Sequence, residues 1–178
     1  MNKTVKWITR SALCIALIIL FQFITKALGQ QLVTGSLVNL VLALAALLFG
    51  AGVGAAAAIV SPFIAFLLGI NAQIAVVPAI AVGNLCYVLV IVLLVKLMKN
   101  VKLPERVKNI IAVIGGALVK FAIQYLLIVK WIAPAFLPAK AQPAIAASFG
   151  IMQFFTACIG GIIASLIAPL VKKGLKAR

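Results

Sequence analysis

The sequence predicts an all-α integral membrane bundle of six transmembrane helices with both termini in the cytoplasm. Three observations carry that reading. Of 178 residues, 66% are hydrophobic. Glu105 is the one acidic residue. The 16 Lys and Arg gather mostly in three short clusters between long apolar runs. A hydrocarbon core about 30 Å thick takes about 20 apolar residues per helix. Residues 1–178 hold room for six such runs and little else, so they are expected to form a single membrane domain without a soluble module or low-complexity linker.

Span 1 is expected over about 7–28. The basic stretch from Met1 to Arg10 resembles the start of a signal peptide, but the apolar run continues to Leu28 with no clear small-residue cleavage site, so it reads as a retained span. Span 2 is expected over about 32–49, followed by a tight turn through Gly50-Ala51-Gly52-Val53-Gly54. Span 3, about 55–68, is short and carries Pro62 at its middle. Proline lacks an N–H and crowds the preceding turn, which predicts a kink or break. Spans 4, 5 and 6 are expected over about 74–97, 109–131 and 143–171.

The charges set the orientation. Lys3, Lys6 and Arg10 flank the start, while Lys96, Lys99, Lys102, Arg106 and Lys108 fill the connection between spans 4 and 5. Lys172, Lys173, Lys176 and Arg178 end the chain. With six spans, these twelve share one side. Lys26, Lys130 and Lys140 fall on the other, and Lys120 lies within span 5. Positive charge collects in cytoplasmic loops. A net charge of +15 is therefore a matter of topology, and no nucleic-acid partner is expected.

The same composition excludes much chemistry. The chain has no His, which argues against zinc, haem and histidine general bases. Cys14, Cys86 and Cys158 lie far apart inside apolar runs, where free Cys behaves as a small hydrophobe. No metal site is expected. The glycines at 50, 52 and 54 lack the preceding strand, the spacing and the later acid of a dinucleotide fingerprint. No carboxylate lies within a span to couple transport to protons or sodium, and no Walker motif is present. Neither a cofactor nor an enzymatic activity is expected, and any pumping needs energy from a partner.

Intramembrane polar groups are costly and mark functional sites. Asn39 lies in the outer half of span 2. Asn84 lies near mid-depth in span 4, with Tyr87 one turn deeper. Lys120 lies near mid-depth in span 5. Gln124 follows four residues later on the same face, beside Tyr125. Gln153 and Thr156 fall at mid-depth in span 6. Together they offer an apolar cleft a few convergent polar groups, as a small-molecule pocket requires. Lys120 stands apart, because no span holds an acid to pair with it. Its ammonium needs water, carbonyls, an aromatic face or a ligand anion, or else it snorkels. Phe121, Tyr125, Phe154 and Phe155 are candidates for stacking on a ligand ring.

Near the cytoplasmic end of span 1, Ala12-Leu13-Cys14-Ile15-Ala16 sets two Ala one turn apart, a shallow groove that another helix can enter. With this motif, the length, the six spans and the inward termini, the chain resembles the substrate-binding S-component of an energy-coupling factor (ECF) vitamin transporter. Gly35-Ser36-Leu37-Val38-Asn39, the turn at Gly50 and Gly83-Asn84 are similar to S-components as well. The resemblance implies a bacterial plasma-membrane protein that binds a vitamin or precursor from outside and topples against a transmembrane coupling subunit. Two partner ATPases would drive that step, and Ala12 and Ala16 would face the coupling subunit. Metal-ion S-components are less similar, since they use His ligands. A cationic vitamin fits poorly with so few acids, whereas Lys120 favours an anionic or accepting group. Pantothenate, riboflavin or its phosphate, folates, biotin and pyridoxine-like compounds remain open. The rival readings are an autonomous facilitator and a structural or assembly protein without a ligand.

Overall fold

The computed structural model of the chain describes residues 2–27, 29–70 and 73–176. Leu28, Asn71, Ala72 and Arg178, which belong to the expected spans, loops and charge clusters, lie outside the described residues. Helix α1 covers Lys3–Lys26, α2 Gln31–Phe49 and α3 Ala51–Leu67. A short 3-10 turn, Ile74–Val76, leads into α4, Val77–Leu97. Helix α5, Glu105–Gln124, continues through a π-helical stretch, Tyr125–Ile132, into α6, Ala133–Phe136. Helix α7 spans Gln142–Phe149 and α8 spans Ile151–Lys176. The chain is all-α. Among the described residues, five of these rods are long and apolar enough to cross a bilayer, and Ala51–Leu67 is a sixth, shorter apolar helix.

The exposure pattern is that of a protein solvated by lipid. Large apolar side chains such as Phe23, Leu67, Leu97 and Phe136 point outward. Asn39, Lys120, Gln124 and Thr156 are buried. Trp7 near the start of α1 and Trp131 near the far end of the fifth rod are both exposed, where indole rings anchor at the two membrane–water interfaces.

Three connections differ from the sequence expectation. The five-residue glycine turn contracts to Gly50 alone, at φ 83°, a left-handed conformation that glycine adopts without a Cβ penalty. Its N–H closes α2 on the carbonyl of Ala46. Gly52 and Gly54 belong to α3, and a Cβ on Gly54 would lie 2.5 Å from Val88 Cγ1. Secondly, α3 runs through Pro62 without a break. Thirdly, the expected sixth span divides at Gly150, where φ −83° and ψ −140° leave the helical region. Gln153 Nε2 bridges that break by donating to the carbonyl of Ser148, 3.0 Å away.

Two apolar clusters hold the bundle. The larger joins α1 to α5 and α8 and contains Ile18, Leu42, Tyr87, Ile91, Val113 and Ala164. It fills the half nearer the termini. The smaller lies at the opposite end, where Val76 and Ala79 meet Ile128, Ile132 and Ala133 of the π stretch and α6. The lone acid, Glu105, accepts a hydrogen bond from Lys172 Nζ at 2.7 Å and ties α5 to α8. Both side chains are exposed, and such pairs contribute about 0–1 kcal/mol. Glu105→Gln should therefore leave ligand binding unchanged and shift the unfolding midpoint only slightly in a thermal melt.

Candidate functional site

A cavity of about 300 Å³ opens at the end of the bundle opposite the termini. Its mouth is formed by Gly29, Gln30 and Gln31 between α1 and α2, and by Ile70 after α3. Lys26 Nζ donates to the carbonyl of Gly69 at 2.9 Å, joining the end of α1 to the connection after α3 across that mouth. Thr34 Oγ1 donates to Thr25 Oγ1 at 2.7 Å, which closes the α1–α2 corner.

The inner wall is polar and buried. Lys120 of α5 is only 2% exposed. Its ammonium donates to Asn39 Oδ1 of α2 at 2.6 Å. Asn39 Nδ2 donates to Thr156 Oγ1 of α8 at 3.3 Å, and Thr156 Oγ1 donates to the carbonyl of Gln153 at 3.2 Å. This relay fixes the amide of Asn39 with its oxygen toward Lys120, so a neutral dipole stands where a counterion is missing. The Tyr87 ring centroid lies 5.6 Å from Lys120 Nζ, within the range of a cation–π attraction.

One turn further along α5, Gln124 Nε2 donates to the Ile80 carbonyl of α4 at 3.5 Å. The contact is long, yet it sets which end of the amide is which. Gln124 Oε1 is left buried without a protein partner, and so is Asn84 Oδ1 one turn along α4. Gln22 Oε1 of α1, also on the cavity wall, shares that condition. Buried acceptors are normally satisfied. Three unpartnered amide oxygens thus belong to residues that line this one cavity.

Gly83 makes room for this arrangement. A Cβ there would lie 2.5 Å from Gln124 Cγ and 2.8 Å from Cδ. Gly83→Ala should displace the Gln124 side chain while the helices stay packed. The loss of one hydrogen bond, about 0.5–1.5 kcal/mol, should weaken ligand binding by about two- to tenfold. Equilibrium binding beside an unchanged thermal melt checks it.

Asn39, Asn84, Lys120, Gln124 and Gln153, five of the candidates from the sequence, line this one cavity. Tyr87 and Tyr125 stand apart from it. Tyr87 is fully buried beneath Lys120, and its hydroxyl donates to the Ala157 carbonyl at 3.0 Å. Tyr125 packs on Phe121 at 5.8 Å between centroids, with Lys130 Nζ 5.5 Å from its ring. Phe121, Phe154 and Phe155 form an edge-on row. The aromatic ring on the cavity wall is Phe149. Gln22, Thr25, Ser61 and Ser148 also line the cavity and were not singled out from the sequence. The signal was present for all four, which are polar groups inside spans 1, 3 and 6.

A second surface lies on α1. Ala12 and Ala16 are exposed, and with Ile15, Leu20, Phe23 and Ile64 of α3 they line a shallow apolar groove. Only 22% of the membrane-length window in α1 is buried, so this face is free for a neighbour within the bilayer.

A scan against protein-family models matches residues 6–172 to the family described as ECF transporter, substrate-specific component. Searches of curated proteins and of solved structures return no match.

Proposed function

Because the chain belongs to the ECF transporter substrate-specific component family, we propose that it captures a vitamin-like small molecule from outside the cell. It then delivers that molecule inward through the coupling module. Membership makes it a multi-pass membrane protein and a transport binding subunit, not an enzyme, which works with an ECF module on a substrate. The cavity at the end opposite the termini is the proposed binding site. Its polar wall comprises Lys120, Asn39, Gln124, Asn84 and Gln153. Tyr87 supports that wall from beneath Lys120, and Tyr125, next to Gln124 in the chain, packs on Phe121. The basic clusters support cytoplasmic termini by the positive-inside rule, and with that orientation the cavity mouth faces outward.

The observation that carries the reading is the set of unpartnered buried amide oxygens beside a buried ammonium. Burying such groups unpaired costs about 1–3 kcal/mol each, and a bound ligand relieves it. The half nearer the termini is filled by Leu42, Val88, Ile91 and Val113, an apolar plug between the cavity and that end. A lone chain with this packing binds and holds. Inward release then needs a motion of the whole subunit, and toppling against a transmembrane coupling subunit driven by two ATPases supplies it. Ala12 and Ala16, on the exposed groove of α1, are the proposed contact with that subunit.

The test is direct. The protein is purified in mild detergent and denatured, and the released small molecules are identified by mass spectrometry. One compound per chain is the expected result. An empty protein that also shows no thermal stabilisation by any member of a vitamin panel would leave a structural role instead.

A further inference from the structure

We infer that the ligand is a small anion that also carries an N–H or O–H donor about one helical turn from its negative group. This deepens the reading of the cavity as a substrate site and rests on it. The charge follows from what faces Lys120. Glu105, the one acid in the chain, is exposed and paired with Lys172. Neither α2, α4 nor α8, all packed against α5, brings a carboxylate to the cavity. Lys120 Nζ has three donors, and among the described residues Asn39 Oδ1 is its one hydrogen-bond acceptor. An ammonium enclosed at mid-membrane depth without a counterion calls for an anion from the guest.

The donor follows from Gln124. Its Nε2 is engaged by the Ile80 carbonyl, which leaves Oε1 as the unpartnered end of a side chain on the cavity wall. Asn84 Oδ1 stands beside it in the same condition. Only a donor satisfies these two. Lys120 and Gln124 are four residues apart on α5, a spacing of about 5–6 Å between Cβ atoms, and this separates the two subsites. Size is bounded as well. The volume of about 300 Å³ is at the low end for small-molecule sites. A compact acid with hydroxyl, amide or amine hydrogens fits, whereas a cation or a large fused-ring compound does not.

The experiment compares wild type with Lys120→Met and Gln124→Glu, each purified from the same cells and checked for monodispersity. Released compounds are quantified by mass spectrometry and sorted by retention on an anion exchanger at pH 7. The expected result is one anionic compound per wild-type chain, retained at least about tenfold less by Lys120→Met, a change equal to ~1.4 kcal/mol. Gln124→Glu keeps an acceptor but adds a negative charge, so it should reject the same compound. A stoichiometric neutral or cationic compound overturns the inference and leaves the transport reading standing. So does an anion held equally by all three proteins. If no protein retains a compound, and pantothenate and 4-aminobenzoate with their amide or alcohol counterparts fail to stabilise wild type, the substrate-site reading itself falls.

Discussion

Ala16→Trp should abolish coupled transport while leaving ligand binding unchanged. Ala16 lies on the exposed groove of α1 with Ala12, away from the cavity walls, which begin on that helix at Gln22. Helices in a bilayer associate through close packing between small residues rather than through hydrophobic expulsion from water. An indole fills the groove and holds the partner helix off. Overpacking a tight contact costs about 1–3 kcal/mol, so affinity for the coupling subunit should fall by about 5- to 150-fold. Ala12→Trp should act in the same direction. Co-purification with the coupling subunit and uptake in reconstituted vesicles measure the loss, and equilibrium binding to the isolated chain measures what is kept. Equal loss of binding and uptake would contradict a docking role.

The largest effect on stability is expected at Gly160. A Cβ on this residue would fall against the Ser36 carbonyl and the backbone of Asn39 and Leu40. Helices α2 and α8 thus touch backbone to backbone, and theirs is the most extensive helix contact in the bundle. The obstacle is main chain and cannot swing aside. Gly160→Leu should destabilise by ~3 kcal/mol or more, the upper end for overpacked sites, with Gly160→Ala in between. The consequence reaches function, because the Asn39–Thr156 hydrogen bond crosses the same contact. Prying it open removes the acceptor from Lys120. A thermal melt should show the loss of stability, and a binding assay on whatever folds should show the loss of ligand. Gly174, with nothing within 4 Å of a built Cβ, provides the control: Gly174→Ala should change neither.

Much of this architecture was legible because a membrane protein states its interior in negative. Apolar runs mark the rods, and each polar residue within a run is conspicuous because hydrocarbon penalises it. That logic brought out Lys120, Asn39, Asn84, Gln124 and Gln153, which the fold gathers around one cavity. It could not separate Tyr87 and Tyr125 from them. A tyrosine packs as a ring and satisfies its hydroxyl wherever a carbonyl is free. For Tyr87 that carbonyl is Ala157, reached through space left by Gly161, whose Cβ would lie 2.5 Å from the hydroxyl. The break at Gly150 was hidden for a related reason. One glycine in an apolar run is ordinary in a membrane helix, and the bridge that stabilises the break comes from Gln153, a side chain legible only as a pocket candidate. The continuity of α3 through Pro62 was equally invisible. Pro62 and Ser61 are buried against the cavity, and that tertiary setting outweighs the local disruption expected of proline.

On this reading the chain binds the compound and a partner module moves it. Uptake of the released compound into sealed vesicles tests it most directly, comparing the chain alone with the chain joined to its coupling subunit and ATPases. ATP-dependent accumulation by the complete assembly, with binding but no uptake by the lone chain, is the expected result. Passage of the compound through vesicles holding the chain alone would contradict it and make the protein a facilitator.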